Sequence, residues 1–357
     1  MKTCKICLND KTVKHIKFDE KGVCNFCNTY IKEYDKWHNF AKLKELFNKK
    51  LSDVKGKYTY DVCVPFSGGK DSTYVLYHLV NDYDLNIKTF TLDNGFLSDE
   101  AKDKINTIVK ELNVEHEYIT IDLQLMKDIY KYITSKYLSP CIACSYMGYA
   151  LMINYTTKFD AGLCIHGRSR SQMFRGYYEG SKDTFKPFLD VAFTDSKDIN
   201  LNELYQNVLG KIDKYIDKKL AKQMKKVLLK DVLTGDFREF VGYFIYHDYN
   251  IEEVINTISS NTSWTPKKDI EHFDCLIHNG AKYIKDIIAK RPHSLPEVSY
   301  LIRDNKITRE AGIKLLNEER KINEEICQKE LNLLCSFANI NKKKLLFKTK
   351  LYSKRWW

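Results

Sequence analysis

"VPFSGGKDSTYVLYHLV", residues 64–80, passes from a short apolar run through two glycines, a lysine, an aspartate and two serines into an amphipathic run. Glycine is destabilising inside regular structure, so a glycine pair here marks a turn. The run before it, "YDVCVPF" (60–66), reads as a buried strand. Asp71–Tyr83 carries Val75, Leu76, Leu79 and Val80 at helical spacing. A strand, a glycine turn and a helix start together make an anion site. The helix N-terminus offers unpaired N–H groups and the positive end of its dipole, and glycine lets the backbone approach a phosphate. Ser67, Ser72 and the ammonium of Lys70 add donors, with Gly68 and Gly69 forming the turn. The spelling is not G-x-x-x-x-G-K-[ST]. The plain alternative is a tight turn rich in glycine, and six specified residues at a strand-to-helix junction weigh against it.

Outward from this stretch the pattern alternates. "NIKTFTL" (86–92) is a second strand, followed by a helix over Ser98–Leu112. "HEYITI" (116–121) is a third, followed by a helix through Tyr137. "SPCIACSYMGYALMINYTTKF" (139–159) is a loop entering a helix, and "DAGLCIHGRSRSQ" (160–172) is a strand ending in a basic loop. Strands alternating with helices imply an α/β fold, a doubly wound parallel sheet covered on both faces. The expected organisation is a cysteine-rich head at 1–30, a linking helix at 31–59, the sheet domain at 60–195 and a mainly helical region at 196–357. The tail "NKKKLLFKTKLYSKRWW" is basic and aromatic, either a surface arm or a packed terminus.

Composition sets outer bounds. The chain has 357 residues, 43% of them hydrophobic, enough for a real core. No apolar run approaches the ~20 residues of a spanning helix. The first thirty residues are polar and cysteine-bearing, so a cytoplasmic location with no membrane is the expectation. Eleven cysteines in a reducing compartment point to metal or catalytic thiols rather than disulfides. The net charge of +11 fits an anionic partner, or simply a lysine-rich surface.

S-G-G-K-D-S resembles the loop of the ATP pyrophosphatase (PP-loop) superfamily, whose members split ATP between the α- and β-phosphates. The resemblance implies that Ser67, Gly68, Gly69, Lys70, Asp71 and Ser72 hold ATP, with Lys70 and Asp71 central to the chemistry. It implies a nucleotide contact at the end of the second strand, here Asp93 and Asn94 in "TLDNGF", at the edge where parallel sheets bind ligands. It also implies a phosphate-closing loop after the fourth strand, here Gly167, Arg168, Arg170 and Arg175. Asp71 is a plausible ligand for Mg²⁺, or an N-cap of its helix. Asp93 equally suits a cap of the helix beginning near Ser98.

Cys4-x-x-Cys7 and Cys24-x-x-Cys27, with residues 8–23 between, have the spacing of a closed four-sulfur site for structural Zn²⁺ in a small ribbon. Cys141-x-x-Cys144 follows Pro140 at a helix entrance beside the expected ATP edge, with Cys275 and Cys164 as available thirds. Sulfur-inserting members of the superfamily, such as tRNA thiolation enzymes, hold a [4Fe-4S] cluster on a C-x-x-C after the third strand plus one later cysteine. Cys141, Cys144 and Cys275 are similar in order, and such a set leaves one iron open for sulfide. A second zinc site, a redox pair and plain packing stay open. Cys63, Cys327 and Cys335 read as core.

The head "CKICLNDKTVKHIKFDEKGVCNFC" (4–27), SGGKDS, "DNGF", "HFDCLIH" and "LIRDNKITREAG" (301–312) together resemble the N-acetyl sugar amidotransferases of surface-polysaccharide pathways. Those enzymes turn an acetamido group into an acetamidino group with ammonia from a separate glutaminase partner. The resemblance implies an N-acetyl sugar substrate and ATP-driven adenylation of its amide oxygen. That family's pattern asks for no cysteine pair where Cys141 and Cys144 stand, which leaves the delivered atom, nitrogen or sulfur, open. Sulfur transfer to a small molecule or a tRNA base is the alternative. A zinc-ribbon nucleic-acid-binding protein that kept the loop is a further one, favoured by Trp356 and Trp357 in the basic tail. His272, Asp274 and His278, flanking Cys275, are candidates for substrate or proton handling.

Overall fold

The computed structural model describes residues 2–179, 198, 200–266, 274–319 and 324–355. His272, Trp356 and Trp357 lie outside the described residues, as does the side chain of Arg175.

Five strands form one parallel sheet: β1 (Tyr60–Pro65), β2 (Ile87–Asp93), β3 (Glu115–Thr120), β4 (Ala161–His166) and β5 (Glu239–Gly242), in the order β3-β2-β1-β4-β5. Parallel strands need crossover connections, and the helices that supply them cover the faces. Hence the middle strands carry buried apolar runs: Val62, Cys63 and Val64 of β1 are fully buried, and every residue of β4 is buried. From β1 the sheet grows through β2 to β3 on one side. It then resumes on the other side with β4 and β5. The connections after β1 and β4 therefore diverge, and the crevice between them is where such sheets bind ligands.

The fifth strand comes from within the stretch read as helical. β5 has four residues and opens on a charged one, too little for a periodic signal. Its Glu239 is buried and bonds the equally buried Lys50 at 2.6 Å, so two charges lie inside as one pair. Lys50 belongs to the second of two helices, α1 (Asn25–His38) and α2 (Phe40–Val54), that stand where one linking helix was expected. The break is at Asn39, whose side chain accepts from the Lys42 amide at 3.2 Å and starts α2 afresh. α1 begins inside the head and carries Cys27.

The remaining crossover helices are α3 (Lys70–Asn81), α4 (Asp99–Glu111), α5 (Leu123–Tyr137), α6 (Cys141–Lys158) and α7 (Arg170–Glu179). Beyond β5 the described chain is helical, including His278–Ala289, Leu295–Arg303, Arg309–Glu319, Glu324–Phe337 and Lys342–Arg355. One contiguous core runs from Cys4 of the head through the sheet to Ala338. Among the described residues no helix is long and apolar enough to cross a membrane.

Candidate active site and cysteine clusters

The turn after β1 is built as an anion cradle. Gly68 has φ +72° and its carbonyl accepts from the Trp264 indole at 3.1 Å. A Cβ there would stand 3.0 Å from Ile105 Cγ1, so backbone conformation and space both require glycine. Gly69 is the N-cap residue of α3 without a side chain to spend, which leaves the first-turn amides to a ligand. Ser67 and Ser72 face each other, Oγ to Oγ 3.3 Å, across the mouth.

Asp71 is therefore not the N-cap of α3. It stands in the first turn, its oxygens each 2.8 Å from Lys70 Nζ. Tyr249, which no periodicity or motif singled out, completes the group. Its hydroxyl donates to Asp71 Oδ1 at 2.9 Å and accepts from Lys70 Nζ at 2.9 Å. Burial, and next the negative charge of Asp71, push the Tyr249 phenol well above its ordinary range, so it stays a donor.

The loop after β4 closes on this turn. A Cβ on Gly167 would lie 3.0 Å from the Asp71 carbonyl oxygen and from Ser72 Cα, so glycine lets the two backbones touch. Arg168 follows, its guanidinium bonded to the Tyr149 hydroxyl and 5.0 Å from that ring's centroid. Its amide donates to His166 Nδ1 at 3.3 Å. Burial, and next the charge of Arg168, hold the His166 imidazole down at about 3, a neutral acceptor.

Arg170, expected beside the phosphates, is placed elsewhere. It is 1% exposed and donates to the carbonyls of Trp37 (2.8 Å), Ile245 (3.2 Å) and Phe244 (3.3 Å) between the rings of Phe40 and Phe174. Held by three backbone carbonyls, the guanidinium ties α1 to the segment after β5.

At the end of β2, Asp93 accepts from Gly95 N at 3.0 Å and pairs with Lys102 at 2.9 Å. It does not cap α4, because Ser98 does so through Ala101 N. Asn94 turns the chain by accepting from Phe96 N and sends its amide to Cys144 Sγ at 3.4 Å. Cys275 arrives at the same place by backbone pairing: Leu97 and Cys275 form an antiparallel bridge, with Leu276 N to Phe96 O at 2.9 Å and Ser98 N to Asp274 O at 3.3 Å. Tyr130 also bonds Cys144, 2.8 Å from oxygen to sulfur. Its phenol is raised first by burial and then by the charges of Cys144, Cys275 and Cys141. Burial, then Cys141, raises the Cys144 thiol to about 11, and burial raises Cys275 further. Cys144 thus bonds both Asn94 and Tyr130 beside the β2 edge, and the charges of Cys141 and Cys275 bear on the same phenol, while the three sulfurs do not form a set within 4.8 Å of one another. Cys164 and Cys63 are fully buried in β4 and β1 and belong to the core. His278 opens the helix that follows Cys275.

Cys4, Cys7, Cys24 and Cys27 form the tighter set: among the described residues, their sulfurs are the one group of candidate ligand atoms all within 4.8 Å of one another. Each residue is fully buried. Sulfur pairs Cys4/Cys27 and Cys7/Cys24 stand 3.8 Å apart. Four buried thiols so packed fit a tetrahedral zinc ion, which takes them as thiolates. Arg303 aims its guanidinium at this charge, Nε 3.3 Å from Cys27 Sγ, and Arg309 donates to the Cys4 and Cys7 carbonyls. Both arginines lie in "LIRDNKITREAG", and Asp304 of the same stretch accepts from Tyr30 and from His38 (2.8 Å). A sequence reading that treats the two chain ends separately has no signal for this contact.

No family model matches the chain. It is 33% identical over 150 residues to the uncharacterized protein MJ1599 of Methanocaldococcus jannaschii, covering 40% of this chain and 50% of that protein. It is 26% identical over 147 residues to the uncharacterized protein MJ1638 of the same organism, covering 39% and 52%. The chain thus spans about half the length of these curated relatives. Among solved structures it is similar to the U34-tRNA thiolase NcsA of Methanococcus maripaludis with its [4Fe-4S] cluster, at 15% identity and TM-score 0.37 over 92% of this chain and 96% of that one. It is also similar to the NH3-dependent NAD synthetase of Campylobacter jejuni, at 16% identity and TM-score 0.32 over 56% and 97%. Superpositions this loose carry no chemistry, which rests on the chain's own residues.

Proposed function

We propose that the chain is a PP-loop enzyme that splits ATP into AMP and pyrophosphate to activate an amide oxygen, and that it delivers nitrogen to an N-acetyl sugar. The observation that carries the ATP reading is the Ser67–Ser72 turn, open at the start of α3 and pressed by Gly167 at the sheet's switch point. An amide oxygen is a poor leaving group. Attack of that oxygen on the α-phosphorus expels pyrophosphate and makes it part of AMP. Ammonia then adds to the carbon, and AMP leaves with the oxygen, giving the acetamidino group. The α3 amides, Lys70 and Arg168 offset charge on the phosphates as pyrophosphate departs, a preorganised electrostatic contribution. Asp71 would hold Mg²⁺, which neutralises phosphate charge when bound. Cys4, Cys7, Cys24 and Cys27 would hold zinc, which keeps the head folded. Support for the sugar branch comes from the packing of the head against residues 301–312, two stretches that carry the resemblance.

A second reading, sulfur transfer, is favoured by Cys144, bonded by Asn94 and Tyr130, with the charges of Cys141 and Cys275 bearing on that same phenol. These three would hold a [4Fe-4S] cluster with one iron open for sulfide. The two readings part on the donor. With an N-acetyl sugar, ammonium should support turnover of iron-free protein, and Cys275→Ser should keep most of it. Iron and acid-labile sulfide in anaerobically purified protein, with turnover on sulfide and none on ammonium, would reverse the order. A separate glutaminase supplying ammonia is the partner this reading calls for.

A further inference from the structure

Tyr249 reaches the loop from beyond β5, as Trp264 does, and its place is fixed from several sides. It follows the short helix Tyr243–Tyr246 and is 6% exposed. Its amide donates to Asp248 Oδ1 at 2.8 Å, the same oxygen that Lys306 reaches at 2.7 Å. Its ring meets Phe244 edge-on at 4.8 Å, and the Phe244 carbonyl is one of those gripped by Arg170. The hydroxyl is thus aimed, with help from Lys306 and Arg170 of two distant segments, at the two charged side chains of the turn.

Lys70 and Asp71 are chain neighbours of opposite charge that bond each other, each carboxylate oxygen 2.8 Å from the ammonium. MgATP must draw them apart, the ammonium onto phosphate and the carboxylate onto the cation. The Tyr249 hydroxyl bonds both at once, donor to Asp71 Oδ1 and acceptor from Lys70 Nζ, and its ring lies 5.7 Å from the ammonium. We propose that Tyr249 is a positioning residue that anchors Lys70 and Asp71 at the turn, so that MgATP can draw the first onto its phosphates and the second onto its metal. The proposal rests on the ATP reading of the loop.

The test compares full-length wild type with Tyr249→Phe, which keeps the ring and removes the hydroxyl. Titrations would measure affinity for MgATP and for adenosine, and the magnesium concentration that half-saturates pyrophosphate release. A hydrogen bond to a charged group sets the scale at about tenfold. Expected are about tenfold weaker MgATP binding, a higher magnesium requirement, unchanged adenosine affinity and an unchanged thermal midpoint. Lys306→Ala, which loosens Asp248 without touching the loop, should give a smaller loss in the same direction. Unchanged MgATP affinity in both variants, or an equal loss for adenosine and MgATP, overturns the role of Tyr249 while leaving the loop reading intact. Wild type that binds no MgATP overturns the loop reading and, with it, this proposal.

Discussion

His166 shows how a single buried side chain ties the crevice to pH. Its ring sits at the end of β4, accepts the Arg168 amide and stays neutral, its imidazole held at about 3 by burial first and Arg168 second. In the unfolded chain a histidine protonates near 6.5. Between those values the unfolded state binds the extra proton, so stability falls as pH drops through about 6.5 and goes on falling to about 3. Urea midpoints across pH 7 to 4 should therefore decline, and His166→Asn should flatten the profile by about 1.4 kcal/mol per pH unit. An identical slope in the variant would show that His166 is not buried as described. At this scale the sequence was read well where a residue's role is local. Ser67, Gly68, Gly69 and Lys70 stand on the expected turn because strand, glycine and helix signals are adjacent in the chain. The contacts of Arg170 were not legible because the carbonyls it bonds lie more than seventy residues away, on Phe244 and Ile245, and on Trp37. Tyr249 escaped notice for the same reason.

Among the elements, β5 depends on one buried ion pair. Glu239 and Lys50 are both almost wholly enclosed, at 2.6 Å, and join the edge strand to α2. Removing one partner leaves the other charge buried alone, which costs about 3–5 kcal/mol. Glu239→Ala should destabilise the protein by that order in denaturant unfolding, while Lys50→Met/Glu239→Leu should recover most of the loss. Equal stability of Glu239→Ala and wild type would contradict the pairing. The first four strands were legible because runs such as "YDVCVPF" alternate with amphipathic helices of ordinary length. β5 was not, since a four-residue strand opening on glutamate has neither periodicity nor composition to mark it. The two helices α1 and α2 merged in the reading because Asn39 is a cap only in the context of the backbone turn that precedes it.

Across the whole molecule the head meets residues 301–312, with Arg303, Asp304 and Arg309 making the contacts. Structural zinc contributes folding free energy directly. Cys4→Ser/Cys24→Ser should lose one zinc per chain and raise hydrogen exchange in the head and in residues 301–312 together. Unchanged zinc content, or exchange confined to the head, would contradict the joint unit. The spacing of the cysteines announced the site, whereas its brace from residues 301–312 is a property of the folded chain alone. The central claim is that the turn at Ser67–Ser72 directs cleavage of ATP between the α- and β-phosphates, and product analysis tests it most directly. Wild type incubated with MgATP, ammonium and an N-acetyl sugar should release AMP and pyrophosphate in equal amounts, and folded Lys70→Ala should release neither. ADP and orthophosphate as the products, or undiminished AMP release by Lys70→Ala, would contradict it.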